Sequence, residues 1–318
     1  MKKNIAIALG GIALLAGASA AGASCGSAFC VLNTNWSTQG VANDPGSFRL
    51  DERFEFVDQK NLQHGTKRIS RDDAAGEDTT ELRTINRNLL TTLDYTFSKN
   101  WAVSASVSAV DRSHSHIDNA TTESEKWDFT KIGDMRVLGM YRFDNEKNPV
   151  VSYGLTFGLK LPTGSYKVAN SDGVTAERAL QPGTGSTDIV LGGYTSAPGS
   201  QQDSSWFAQV LYQQAVGIKD DFRPGKQFQF NLGYRYPLTH ELQALLQLNT
   251  SIKDRDSGTN AEPDLSGSRS VFLSPGLSYA FTQDFQLYGF VQLPVYRNYN
   301  GIQLAVEWAF VAGATLRF

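Results

Sequence analysis

The sequence predicts an all-β protein, a single transmembrane antiparallel up-and-down β-barrel of about twelve strands. Three observations carry that prediction. Apolar residues recur at period two through most of the chain, short and long connections alternate along it, and aromatic residues gather beside the short connections. The C-terminal segment shows the period without a break: Ile302, Leu304, Val306, Trp308, Phe310, Ala312, Ala314, Leu316 and Phe318 are apolar, with Gln303, Glu307, Thr315 and Arg317 among the residues between them. Such a strand has one greasy face and one wet face. A hydrophobic content of 41% and a mean hydropathy of −0.30 would suit a soluble protein, but a barrel strand averages lipid-facing against lumen-facing positions.

The chain opens Met1-Lys2-Lys3, runs through an apolar stretch from Ile5 to Ala16, and reaches small residues at Ala18-Ser19-Ala20 and Ala21-Gly22-Ala23. This reads as a secretory signal peptide over residues 1–23, because the apolar run is shorter than the ~20 residues of a spanning helix. Its removal takes the formal charge from −3 to −5, an acidic balance that gives no reason to bind nucleic acid. Residues 24–46 form an N-terminal segment, a plug in the lumen or a periplasmic tail. In an oxidising periplasm its Cys25 and Cys30 are expected to close a local disulfide. Lipidation of Cys25 is disfavoured because Gly22-Ala23-Ser24 lacks the usual leucine, and neither cysteine belongs to a haem-attachment motif.

The barrel is expected over residues 47–318. Phe48, Leu50, Phe54 and Phe56 alternate with Arg49, Asp51, Arg53 and Glu55. Ile85 to Phe97 and Trp101 to Ala109 form a hairpin around Ser98-Lys99-Asn100. Strands follow at 135–143, 151–161, 187–194, 206–212, 228–236, 242–252, 271–281, 285–295 and at the C-terminus. Tyr194 is out of phase with Ile189 and Leu191, which points to a bulge at Gly192-Gly193 or a wrong phase.

Short connections are expected near Lys99, Asn145, Gly199, His240 and Gln283. Long polar ones are expected at 59–80, 111–126, 163–186, 216–226 and 253–269, and only the last external connection, 298–301, is short. Short periplasmic turns and long external loops are the barrel pattern, which places both termini in the periplasm. The aromatic C-terminal Phe318 resembles the insertion signal of bacterial outer-membrane barrels. The expected surroundings are therefore outer-membrane lipid and the barrel-assembly machinery.

Several stretches resemble the outer-membrane family described as Putative MetA-pathway of phenol degradation, itself similar to FadL-type hydrocarbon transporters. They are Ile132-Gly133-Asp134-Met135 leading to Tyr141-Arg142-Phe143, Gly158-Leu159-Lys160-Leu161-Pro162-Thr163-Gly164, and Gln181-Pro182-Gly183-Thr184-Gly185-Ser186-Thr187-Asp188. Gln292-Leu293-Pro294-Val295-Tyr296, Asn300-Gly301-Ile302-Gln303-Leu304 and Leu316-Arg317-Phe318 complete the set. The resemblance implies a channel for small hydrophobic or aromatic solutes, with no enzymatic chemistry and no cofactor.

If apolar side chains face lipid, the lumen receives Arg49, Asp51, Arg53, Glu55, Asp94, Asp134, Arg136, Arg142, Lys160, Asp188, Arg235, Glu307 and Arg317. They either pair across the interior or form a polar constriction. Arg49, Arg142, Arg235 and Arg317 fall near the periplasmic ends, a basic ring partly neutralised by Asp51 and Asp94. His114 and His116 in a polar loop offer two metal ligands from one strand face, but further ligands are not apparent, so no metal site is expected. Ser113 beside His114 invites a hydrolase reading without any surrounding hydrolase motif. The remaining alternative is a structural barrel that sheathes a periplasmic redox protein.

Overall fold

The computed structural model describes residues 44–74, 79–146, 148 and 150–318. The expected signal peptide, Cys25, Cys30 and nearly all of the 24–46 segment lie outside the described residues. The strands are β1 (Phe48–Gly65), β2 (Lys67–Arg68), β3 (Thr79–Thr96), β4 (Trp101–Asp118), β5 (Ser124–Ile132), β6 (Met135–Arg142), β7 (Ser152–Leu161), β8 (Thr187–Pro198), β9 (Ser205–Gly217), β10 (Gln227–Pro237), β11 (Leu242–Lys253), β12 (Ser268–Ala280) and β13 (Phe285–Arg317). The strand pairings among the described residues are antiparallel, and β13 returns to β1 to close the ring. Two elements stand off it, β2 folded back on β1 and β5 on the upper half of β4 above β6.

The long β13 supplies two staves. Its first half runs along β12 and its second along β1, and it doubles back at Asn300-Gly301, where Gly301 takes φ 68°. Far from that bend, the Arg317 amide donates to the Asp284 carbonyl at 2.9 Å. Eleven ring elements therefore give the expected twelve staves. At the seam the Phe48 amide donates to the Phe318 carbonyl at 2.7 Å, the Phe318 amide to Phe48 at 3.0 Å, and the two rings stack at 5.6 Å.

Alternation sets which face each side chain takes. Leu155, Phe157, Leu159, Ile189, Leu191, Leu232, Leu246, Leu273, Leu293 and Phe310 are exposed, while the intervening Lys160, Asp188, Asn231, Gln247, Ser274 and Thr315 are buried. A barrel in lipid has this inverted arrangement, since its backbone groups are all paired between strands. Rings at the short-turn end touch in series, Trp101 with Tyr141 at 4.8 Å, Tyr141 with Phe143 at 5.1 Å and Phe143 with Tyr153 at 5.4 Å. They form the interfacial belt that Trp and Tyr favour.

One outward position breaks the apolar band. Glu52 stands between Leu50 and Phe54 on the outer face of β1, accepting a hydrogen bond from Thr91 Oγ1 at 3.0 Å. A carboxylate held against lipid costs stability. Glu52→Leu is therefore expected to stabilise the barrel by ~1–2 kcal/mol, read as a higher urea midpoint in lipid vesicles; an unchanged or lower midpoint would show that the bond to Thr91 outweighs the lipid penalty.

The structure departs from expectation at the rim. Residues 59–65, 79–80, 111–118 and 124–126 continue the ladder instead of forming long loops. A strand of 18 residues runs about 60 Å, more than the apolar band requires, so β1, β3 and β4 stand well clear of it. The ladder persists because the outer face turns polar and pairs with itself: Arg83 with Asp58 at 2.8 Å and Arg87 with Asp111 at 2.6 Å. Alternation in hydropathy vanishes there while the hydrogen bonding continues.

Two further corrections concern phase. Register shifts between β1 and β13 near Gln59 bury Val306 and bring Glu307 out beside Arg68 at 3.7 Å, so Glu307 lies on the rim and not in the lumen. At Tyr194 the register of β8 with both neighbours is unbroken, with no bulge at Gly192-Gly193. Tyr194 instead faces inward, close to Arg142.

Candidate functional site

The lumen is narrowed by residues 162–186, which leave β7 and fold inward before β8 begins. Three of the stretches with a family likeness meet at the root of this loop. Lys160, 6% exposed in its side chain, donates to Asp134 Oδ2 at 2.8 Å, to the Ser186 carbonyl at 3.0 Å and to Thr184 Oγ1, with Asp188 Oδ1 at 3.4 Å. Asp134 in turn accepts the backbone amides of Gly164 at 3.0 Å and Thr184 at 2.9 Å. Gly183 has to be glycine here, since a Cβ would lie 2.7 Å from Asp134 Oδ1 and from the Gly164 carbonyl carbon. Further along the loop, the Gln181 side chain bridges two segments, its Oε1 accepting from the Val168 amide and its Nε2 donating to the Ala176 carbonyl, and Arg112 on β4 donates to the Leu180 carbonyl at 2.5 Å.

From this node a polar chain runs along one wall of the lumen, over the adjacent strands β6 to β9. Ser186 Oγ donates to Asp188 at 2.6 Å, Gln213 donates to the other Asp188 oxygen at 2.6 Å, and Arg136 donates to Gln213 at 2.8 Å. Arg53 and Glu55 pair at 2.8 Å on β1, and Arg49 pairs with Asp94 at the short-turn end, Nε to Oδ2 at 2.7 Å. Asp51 accepts from Tyr288 at 2.9 Å and from Thr315 at 2.7 Å. Arg317 lies near both Arg49 and Arg235, while Arg142 lies on the opposite wall near Tyr194.

Between the inward loop and the wall is a cavity of about 230 Å³. Arg53, Arg136, Lys160, Arg178 and Lys253 give its lining more positive than negative side chains, against Glu55, Asp134 and Asp256. Leu90, Val110, Phe222 and Pro224 supply apolar surface in the same space.

Residues 113–301 match the model of the family described as Putative MetA-pathway of phenol degradation, well over half of the chain. The chain belongs to that family. The barrel is similar to the COG4313 outer membrane channel from Pseudomonas putida F1, with a TM-score of 0.64 at 12% identity over 87% of this chain and 97% of that one. A Pseudomonas aeruginosa FadL homologue (TM-score 0.40, 10% identity, 91% of this chain and 98% of that one) also matches. So does the P. putida toluene transporter TodX, with a TM-score of 0.41 at 10% identity over 90% and 93%. No curated protein matches the sequence. Family and fold agree on a bacterial outer-membrane barrel.

Within this family member the lumen is less polar than its sequence suggests. Phe207, Phe272, Tyr288 and Phe290 point inward and are buried, with Leu245 and Val311 packed beside Tyr288 and Phe290. The signal for them was available, because each is an aromatic in phase with polar rather than apolar neighbours on its strand, as Tyr194 is on β8.

His114 and His116 are also placed differently from expectation. They lie on the rim portion of β4, beyond the apolar band, and both are buried. Ser113 takes the opposite face, which removes the serine-histidine pair from consideration. His114 Nε2 is 3.4 Å from His116 Nδ1 and 3.5 Å from Glu81 Oε2, and His116 Nδ1 is 3.7 Å from Glu177 Oε1 on the inward loop. Trp127 covers the pair, its ring 5.0 Å from that of His116 and 5.7 Å from that of His114. Burial pushes the His114 imidazole well below its usual pKa and the Glu81 carboxyl well above, with Glu262 nearby adding to the second effect.

Proposed function

We propose that this protein is a passive outer-membrane channel for small solutes, with hydrophobic and aromatic compounds as its cargo and both termini in the periplasm. The observation that carries this reading is the cavity between inward loop and wall, where apolar side chains and an excess of guanidinium and ammonium groups share one space of about 230 Å³. A planar ring finds apolar contact there, and an acidic substituent finds a cation. The loop rooted on Lys160 acts as a fixed constriction, with charge of both signs selecting among solutes.

At the short-turn end, Arg49, Arg142, Arg235 and Arg317 give the mouth a basic bias that favours anions. The test is single-channel recording of the refolded, signal-free protein in planar bilayers, with benzoate-type acids and neutral aromatic hydrocarbons added as blockers. Discrete openings, reduced by the aromatic compounds more than by sugars of similar size, are expected. Reversal potentials in a salt gradient should show anion preference that falls when the four arginines are changed to Gln. A stably inserted but silent barrel would overturn the channel reading, and an unchanged preference would remove the basic mouth from it.

A further inference from the structure

We propose that Glu81, His114, His116 and Glu177 form a binding site for a divalent transition metal of the zinc type, and that the bound ion clamps the inward loop to the barrel wall. Glu81, His114 and His116 each bring a donor atom within 4.8 Å of the others, and Glu177 adds a fourth at the edge of the cluster. The contacts run in series, 3.5 Å from Glu81 to His114, 3.4 Å from His114 to His116 and 3.7 Å from His116 to Glu177. Bonds of about 2.0–2.2 Å from nitrogen or oxygen to a tetrahedral zinc ion place neighbouring donors roughly 3.3–3.5 Å apart, so the three consecutive contacts stand near the required spacing and the Glu177 side chain has to swing in toward Glu81 and His114 to close the tetrahedron. Two imidazoles and two carboxylates suit zinc and its neighbours in the first row better than calcium or magnesium.

The far nitrogens of both imidazoles are already engaged in the way that metal-bound histidines require. Thr84 Oγ1 lies 2.9 Å from His114 Nδ1, and Glu125 Oε2 lies 3.2 Å from His116 Nε2. With a proton on each of those outer nitrogens, His114 Nε2 and His116 Nδ1, 3.4 Å apart, are left with lone pairs to offer a metal ion. The third donor is independent of the first two. Glu81 is 4% exposed in its side chain and neither carboxylate oxygen has a hydrogen-bond partner, an arrangement that costs several kcal/mol in a desolvated site unless a cation answers it.

The fourth donor gives the site its consequence. Glu177 immediately precedes the short 3-10 turn Arg178–Leu180, and Arg178, Gln181, Pro182 and Thr184 line the luminal cavity. An ion shared by β3, β4 and this loop would hold the constriction in place from the rim side, as Lys160 does from below.

The test is titration of the chelator-treated, refolded barrel with Co²⁺, followed by the visible absorption of the bound ion and its displacement by Zn²⁺, with calorimetry for stoichiometry. One ion per chain with a tetrahedral spectrum is expected. Glu81→Gln, which preserves shape, and His114→Ala should each weaken binding by roughly 100-fold or more, whereas Ser113→Ala on the outer face should leave it unchanged. Absence of stoichiometric binding in the wild-type barrel overturns the proposal, as does binding that survives in both variants. Glu177→Gln separates the clamp from the site: a loss of affinity supports it, and unchanged affinity overturns it. Because the readout is binding, failure here is distinguishable from failure of the channel reading, which rests on conductance.

Discussion

Lys160→Met is expected to open the constriction and raise single-channel conductance several-fold. The ammonium touches Asp134, Thr184, Ser186 and Asp188 together, and it joins the end of β7 to the start of β8 across the root of the inward loop. Methionine fills most of the volume and supplies none of the charge. Two carboxylates would then face one another in a desolvated space, and removing one partner of a buried ion pair costs about 3–5 kcal/mol. The rest of the loop's lower half is held by Asp134, which accepts from the Gly164 and Thr184 amides, and by the Ser165 amide on the Ile132 carbonyl; with Asp134 left uncompensated, the cost is expected to appear as loop displacement before it appears as unfolding of the ladder. Recordings in planar bilayers, together with the heat needed to unfold the barrel on a gel, check both parts. A variant with ordinary conductance and ordinary heat resistance would show that Gln181 and Arg112 hold the loop without the lysine.

Gly313→Ala is expected to destabilise the barrel by ~2–5 kcal/mol, the sum of an overpacking term and a lost hydrogen bond to a buried carboxylate. Tyr288 lies flat across Gly313, with its Cζ and hydroxyl oxygen 2.4 Å from where a Cβ would be. The same hydroxyl donates to Asp51. A methyl group lifts the ring from the wall and withdraws that donor at once. The measurement is the urea midpoint in vesicles, with two companions. Tyr288→Phe isolates the hydrogen bond and should cost about 1–3 kcal/mol. Gly289→Ala, where the nearest atom is 3.5 Å away, should be close to neutral. Equal effects at Gly313 and Gly289 would sink the steric account.

The lipid-embedded half of this molecule was legible because lipid enforces a contrast between faces. From Phe48 to Phe56, Glu52 excepted, and from Tyr153 to Leu161, each outward position is apolar, and the alternation can be read without a partner strand. Beyond the apolar band that constraint lapses. Outward-facing ladder residues such as Asp58, Arg83 and Asp111 carry no apolar alternation, so the stretches beyond the band look like loop, which is why His114 and His116 read as a solvated pair rather than as buried neighbours of Glu81. Glu177 is 61 positions from His116 and on another element, so no spacing rule could have joined them. The lumen was legible in part. Lys160, Asp134 and Asp188 stood out as inward charges in stretches with a family likeness, but their convergence on one nitrogen needed the fold. Tyr288 and Phe290 share the phase of Gln286 and Gln292, so their inward position was legible from polar neighbours on the same strand, although aromatic character alone points to the outer face.

The seam joins the two ends of the described barrel, since Phe48 and Phe318 exchange hydrogen bonds and Thr315 reaches Asp51 across 264 positions of sequence. Contacts so remote in sequence form late and slowly, so closure must wait until the final stave has been delivered, however early the first hairpins appear. The polar contacts at the seam also act as a check on alignment. A slip by one residue would turn Asp51 toward lipid and leave Tyr288 without its acceptor. Register errors are thus penalised at the moment of closure, when they can still be undone. The same adjacency predicts tolerance to circular permutation: with Phe318 tethered to Ser47 and the chain opened at a short turn such as 281–284, every rung of the ladder could still form, and only the order of assembly would change.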